Sequence, residues 1–192
     1  MNPPELPSTL AARSFVRSTA WLSLGMAGLS VLWSLLQLLI VWLFKPIEWL
    51  EPVQWLLPPG MSLPPLMFWL AKHALLLSVL LLLLSLAFAL VSWGLLNYRT
   101  WGKNGFIVFL IVIALANFAL LPVLDRLITD SMASLFPRGF LATSAGSELA
   151  AHLQRMRRFM WVSLGSTMLL IAALHAWLVV KLQRPPVRTL FY

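Results

Sequence analysis

The chain has no cysteine and little charge: only 10% of its 192 residues are Asp, Glu, Lys or Arg, and just six of these are acidic. Without cysteine there can be no disulfide, thiolate metal site, thioether-linked haem or cysteine nucleophile. Scarce charge excludes a soluble globule, because so few polar side chains cannot screen a composition that is 60% hydrophobic. There is also no glycine-rich phosphate loop, no zincin-type histidine pair, and no Ser/His/acid set that local spacing would bring together. An all-α integral membrane protein is the fold class that survives these exclusions.

Present instead are long apolar runs in a regular order. Four transmembrane helices are expected at about 20–44, 66–96, 105–122 and 159–180, arranged as an up-down bundle. The first run is too long for the apolar core of a cleaved signal and is expected to remain as a membrane helix. Lys45-Pro46 stops it, and a short interfacial helix at 47–57 precedes a connector stiffened by Pro58, Pro59, Pro64 and Pro65. Helical spacing of Leu124, Leu127, Ile128, Met132 and Leu135 predicts a separate amphipathic surface helix at 124–136, ended by Pro137-Arg138-Gly139. Ser147 is the expected cap of an extended fourth helix of about 35 residues that projects beyond the membrane. Residues 1–19 read as a mobile tail, 20–184 as one domain and 185–192 as a second tail. Independently of hydropathy, Trp21, Trp42, Trp69, Trp93, Trp161 and Trp177 fall near the span ends, where indole rings prefer to sit.

The net charge of +8 points to anionic lipid headgroups rather than nucleic acid, since the basic residues flank apolar runs. Seven lie on the side of both termini (Arg13, Arg17, Arg99, Lys103, Lys181, Arg184, Arg188) and seven on the other. Arg13 and Arg17 outweigh Lys45 around the first span, and the turn 97–105 is basic without an acidic residue, so both termini are expected in the cytoplasm. The turn Arg99-Thr100-Trp101-Gly102-Lys103 resembles the Arg-x-Trp-small-basic turn of small bacterial four-helix membrane proteins. That resemblance covers five residues and implies a cytoplasmic turn in a bacterial inner membrane.

Few groups offer chemistry. Lys72 can snorkel to the interface from near the start of span two. His73 and His175 differ in depth by about 15 Å, too far to share one haem iron, whereas His73 and His152 could approach over the outer face. Small and polar residues form the clearer pattern. Ser23, Ala27, Ser30, Ser34 and Gln37 recur at four and three in span one, and Ala71, Ser78, Ser85 and Ser92 at seven in span two. Such stripes let helix backbones approach closely. Ala114 and Asn117 on span three, and Ser163, Ser166 and Ala173 on span four, suit the same use. The stripes read as internal seams or partner contacts, and Gln37 with Asn117 as a polar groove for a lipid-like ligand. Arg99, Lys103, Arg155, Arg157 and Arg158 are expected to meet headgroups or an acidic partner.

The leading expectation is a non-catalytic accessory, assembly or stabilising subunit of a bacterial inner-membrane complex, binding another integral membrane protein and no cofactor or metal. The alternatives are a small transporter or binding protein for a lipid-like or apolar ligand, and a membrane enzyme or haem protein using His73.

Overall fold

The computed structural model describes residues 7–58, 61–136, 139 and 143–192. Among them the regular elements are all helices: α1 Pro7–Phe44, α2 Pro46–Leu56, α3 Pro65–Lys72, α4 Ala74–Leu96, α5 Thr100–Leu135, α6 Ser144–Gln183 and α7 Pro185–Arg188. Four of these, α1, α4, α5 and α6, are long and apolar enough to cross a membrane. With 38, 36 and 40 residues, α1, α5 and α6 are each nearly twice as long as a ~30 Å hydrocarbon core requires. Large side chains such as Leu29, Leu32 and Leu170 lie open on these helices, as lipid-facing surface does. Pro59-Gly60 of the expected stiff connector, Pro137-Arg138 of the expected break and the first six residues of the tail lie outside the described residues.

Local physics moves several expected boundaries. Residues 7–19 are helix rather than tail, because Ala12, Val16 and Ala20 continue the spacing of Ser23, Ala27 and Ser34 and are buried with them. The helix proper ends at Phe44, and Lys45 takes φ 41°, a left-handed conformation that turns the chain into Pro46. The second span is interrupted at His73, which caps α3 with φ −102° and ψ 8° before α4 begins. Pro122 does not end the third span: α5 runs through it to Leu135, so the amphipathic stretch 124–136 is a continuation of that helix. Proline forfeits one backbone hydrogen bond, a local cost that the flanking apolar turns outweigh. The fourth helix starts earlier than expected. Thr143 Oγ1 accepts the Gly146 N–H at 3.1 Å, whereas Ser147 Oγ donates to Ser144 O from within the helix.

The described residues fall into two compact units. In the first, covering 7–38, 78–114 and 171–192, Ala12, Val16, Ala20, Leu95, Phe106, Leu110, Leu182 and Val187 form a buried cluster. Within it α4 and α5 fold back on each other through residues 97–99. The Arg99 N–H donates to Gly94 O and the Tyr98 N–H to Leu95 O, at 3.0 and 3.1 Å. That pair of bonds is a Schellman closure, with Tyr98 at φ 55° where glycine is usual. The second unit covers 39–77 and 115–170. There α2 and α3 touch, and the Ser62 N–H donates to Ser134 O at 3.0 Å.

Candidate functional site

In the second unit, polar side chains converge where α5 passes beyond Pro122. Arg157 and Trp161 are four residues apart and therefore share one face of α6. Both reach Asp125 on α5. The Arg157 guanidinium donates through Nε to Oδ1 and through Nη2 to Oδ2, the latter at 2.5 Å, and Trp161 Nε1 donates to Oδ1 at 2.8 Å. A forked guanidinium on a carboxylate is among the strongest and most directional side-chain pairings. Neighbouring hydroxyls are spent on their own helix: Thr129 and Ser131 donate to carbonyls four residues back, at 2.9 and 2.6 Å. Arg126 pairs more loosely with Asp130, at 3.7 Å.

Alongside this knot lies an open groove of about 720 Å³ lined by Ile128 of α5 and by Leu153, Arg155, Met156, Arg157, Phe159, Met160, Ser163 and Leu164 of α6. Its volume is that of a typical ligand site. The lining is largely flexible methionine and apolar side chains, and the exposed Arg155, which makes no ion pair among the described residues, adds a charge to it.

Each residue singled out in the sequence has a definite place. Ser23, Ala27, Ser34, Ser78, Ser85 and Ser92 are buried, Ala71 is half-buried and Ser30 is exposed. Ser34 Oγ and Ser85 Oγ lie 3.2 Å apart inside the first unit, so this pair contacts its own chain rather than a partner. Each hydroxyl also bonds its own helix, Ser34 to Ser30 O at 2.7 Å and Ser85 to Leu81 O at 2.9 Å. Two protons serve three contacts, which keeps the interhelical bond weak. On α6, Ser163, Ser166 and Ala173 are exposed. Gln37 and Asn117 are half-buried, one in each unit, and neither lines the groove.

The basic residues also divide. Arg157 is engaged by Asp125 rather than left for headgroups, while Arg155 and Arg158 stay exposed. In the first unit Lys103 is buried with Nζ 5.4 Å from the Phe191 ring centroid, and Arg99 lies 5.3 Å from that of Tyr192. These two therefore meet aromatic rings of residues 185–192, the expected tail. His73 bonds Trp69 O through Nδ1 at 2.8 Å and stacks on the Trp69 ring at 4.6 Å, and His152 is exposed. Sequence reasoning missed the Asp125 pairing, since 32 residues separate it from Arg157. The i, i+4 placement of Arg157 and Trp161 was the one available hint.

Two tests arise here. Reversing the pair, with Asp125→Arg and Arg157→Asp together, is expected to restore much of the thermal stability that either single change removes. Additive losses in the double variant would show that the two residues do not act as a pair. Ser85→Ala is expected to cost about 0.6 kcal/mol, the usual size of an interhelical polar contact in a membrane. Ser78→Ala and Ser92→Ala should instead be neutral or stabilising, because both buried hydroxyls lack a hydrogen-bond partner among the described residues. Unfolding in micelles would separate the two classes, and equal losses at all three serines would refute the distinction.

Comparison with known proteins finds no matching family model, no matching curated protein and no matching solved structure.

Proposed function

We propose that this chain is a non-catalytic accessory subunit of a bacterial inner-membrane complex, an up-down bundle of four spans with both ends of the chain on the cytoplasmic side. Interfacial packing of α2, and of the part of α5 beyond Pro122, belongs to the same reading. The observation that carries it is the open groove on α6, whose lining includes the small, exposed Ser163, which admits a close helix, and the exposed Arg155, which suits an acidic side chain on that helix. The Asp125–Arg157–Trp161 knot holds the groove walls in place beforehand, which lowers the ordering cost of docking. The test is gentle purification of the tagged chain from native membranes, with mass spectrometry of the intact assembly. A second membrane protein at fixed stoichiometry, lost when Ser163→Trp fills the groove, is the expected result. An unchanged complex in that variant would remove the groove as the contact.

A second reading, a binding protein for a lipid-like ligand, is favoured by the groove's size and apolar lining. It places the ligand at α6 rather than near Gln37 and Asn117. A lipid that co-purifies with the solitary chain and is displaced by Ser163→Trp would select this reading over the first.

A further inference from the structure

The corner where α1 gives way to α2, in the second unit, borders an open cavity of about 260 Å³. Its lining includes Trp42, Lys45, Ile47 and Glu48 from that corner, and Lys72 and Leu75 from either side of the break between α3 and α4. The spans fix its level in the membrane. No Asp, Glu, Lys or Arg lies between Arg17 and Lys45, or between Lys72 and Arg99, so Lys45 and Lys72 each mark the end of a long uncharged stretch. The cavity therefore sits where hydrocarbon meets headgroups, the level that the indole of Trp42 also prefers.

One wall is set by the backbone of the corner. Lys45 takes φ 41°, its N–H donates to Val41 O at 3.0 Å, and its carbonyl accepts the Glu48 N–H at 2.9 Å. Glu48 stands in the first turn of α2, where the helix dipole favours a carboxylate, and Lys45 Nζ donates to its Oε1 at 3.0 Å. A carboxylate accepts on both oxygens, and with its side chain 61% exposed Glu48 keeps Oε2 for another donor. Across the cavity's lining, Lys72 closes α3 and is exposed.

The ammonium of Lys72 has no counter-charge. All five acidic residues of the second unit, Glu48, Glu51, Asp125, Asp130 and Glu148, are among the described residues. Glu48 is held by Lys45, Asp125 by Arg157 and Asp130 by Arg126. Lys72 makes no ion pair or hydrogen bond with these or with any other group among the described residues. A lone ammonium at the edge of hydrocarbon attracts one negative charge. A phosphodiester carries one, whereas a phosphate monoester carries nearly two and would set the second against Glu48. The same lining also holds a carboxylate, Glu48, and an indole that is 66% exposed, Trp42, the two kinds of group that recognise an ammonium.

We infer that this cavity binds an ethanolamine phospholipid by its headgroup, with Lys72 donating to the phosphodiester and Glu48 accepting from the ammonium beside Trp42. Its volume falls below the roughly 300–1,000 Å³ of drug-sized ligand sites, which suits a headgroup without its acyl chains. The chains then lie along the exposed Leu43, Leu75 and Leu76. The inference is independent of the groove on α6 and of the subunit reading.

The experiment uses the full chain in detergent, stripped of bound lipid, with native mass spectrometry to follow phosphatidylethanolamine, phosphatidylcholine and phosphatidylglycerol of identical acyl chains. Phosphatidylethanolamine is expected to bind most tightly, because the choline headgroup has no N–H to donate and the glycerol headgroup has no cation. Lys72→Gln should weaken all three about tenfold, the size expected for one lost hydrogen bond to a charged group. Lys72→Arg should keep most of the binding, since a guanidinium also donates to phosphate. Glu48→Gln should erase the preference for phosphatidylethanolamine over phosphatidylcholine. Lys72 and Glu48 are exposed, so these variants retain the fold. Arg158→Gln, which removes an exposed charge from another helix, should leave binding unchanged. Equal binding of phosphatidylethanolamine and phosphatidylcholine by the unaltered chain, native-like affinity in Lys72→Gln, a preference that survives Glu48→Gln, or an equal loss in Arg158→Gln would each overturn the inference. So would displacement of the lipid by millimolar glycerophosphoethanolamine, which would assign the site to a soluble compound.

Discussion

Replacing Gly102 with alanine is expected to force α4 and α5 apart and to cost about 3 kcal/mol or more, the upper end of ordinary overpacking. A Cβ built there would lie 2.2 Å from the Gly94 carbonyl carbon and 2.5 Å from the Leu95 nitrogen. Both are backbone atoms of the facing helix, so no rotamer change relieves the clash. The neighbouring glycine gives a graded comparison. A Cβ on Gly94 would meet the Trp101 ring at 2.5 Å, but that side chain is 47% exposed and can swing aside. Gly94→Ala should therefore cost less. Gly25, Gly28 and Gly165 face open space, and alanine at each is expected to be neutral or to stabilise by about 0.4–1 kcal/mol through the unfolded chain. Unfolding in micelles measures all five. Similar losses at Gly102 and Gly165 would mean that glycine matters here through flexibility and not through close approach.

Deleting residues 185–192 is the second large effect. Val187 is 3% exposed within the buried cluster, and Leu190 and Phe191 pack against it. Removing Val187 alone forfeits about 1.5–3 kcal/mol of burial, and each lost cation–π contact about 0.5–1 kcal/mol. The Thr100 N–H and Tyr98 carbonyl also lose their partner at Tyr192. Together these predict a loss of about 3 kcal/mol. A more local readout is the reactivity of Lys103, which is 9% exposed under Phe191. Amine labelling at Lys103 should rise sharply in the truncated chain, and Phe191→Ala should raise it part of the way. Labelling unchanged by the deletion would show that other residues cover Lys103.

The sequence by itself determined that the chain is helical and carries four runs able to cross a membrane. Helix rise, bilayer thickness and side-chain transfer energy are local quantities, summed along a stretch of chain. It also placed the seven-residue serine spacing of α4 on one face, because helical periodicity follows from residue number alone. Tertiary structure decided which groups meet. Ala12 and Val16 turn the expected tail into the start of α1 because other helices cover them. Pro122 sits inside a helix because the turns around it repay one lost bond. Asp125 finds Arg157 and Trp161, and residues 185–192 close over a basic turn some ninety residues earlier in the chain. These are pairings between distant segments, chosen by packing and charge in three dimensions, and hydropathy and periodicity carry no term for them.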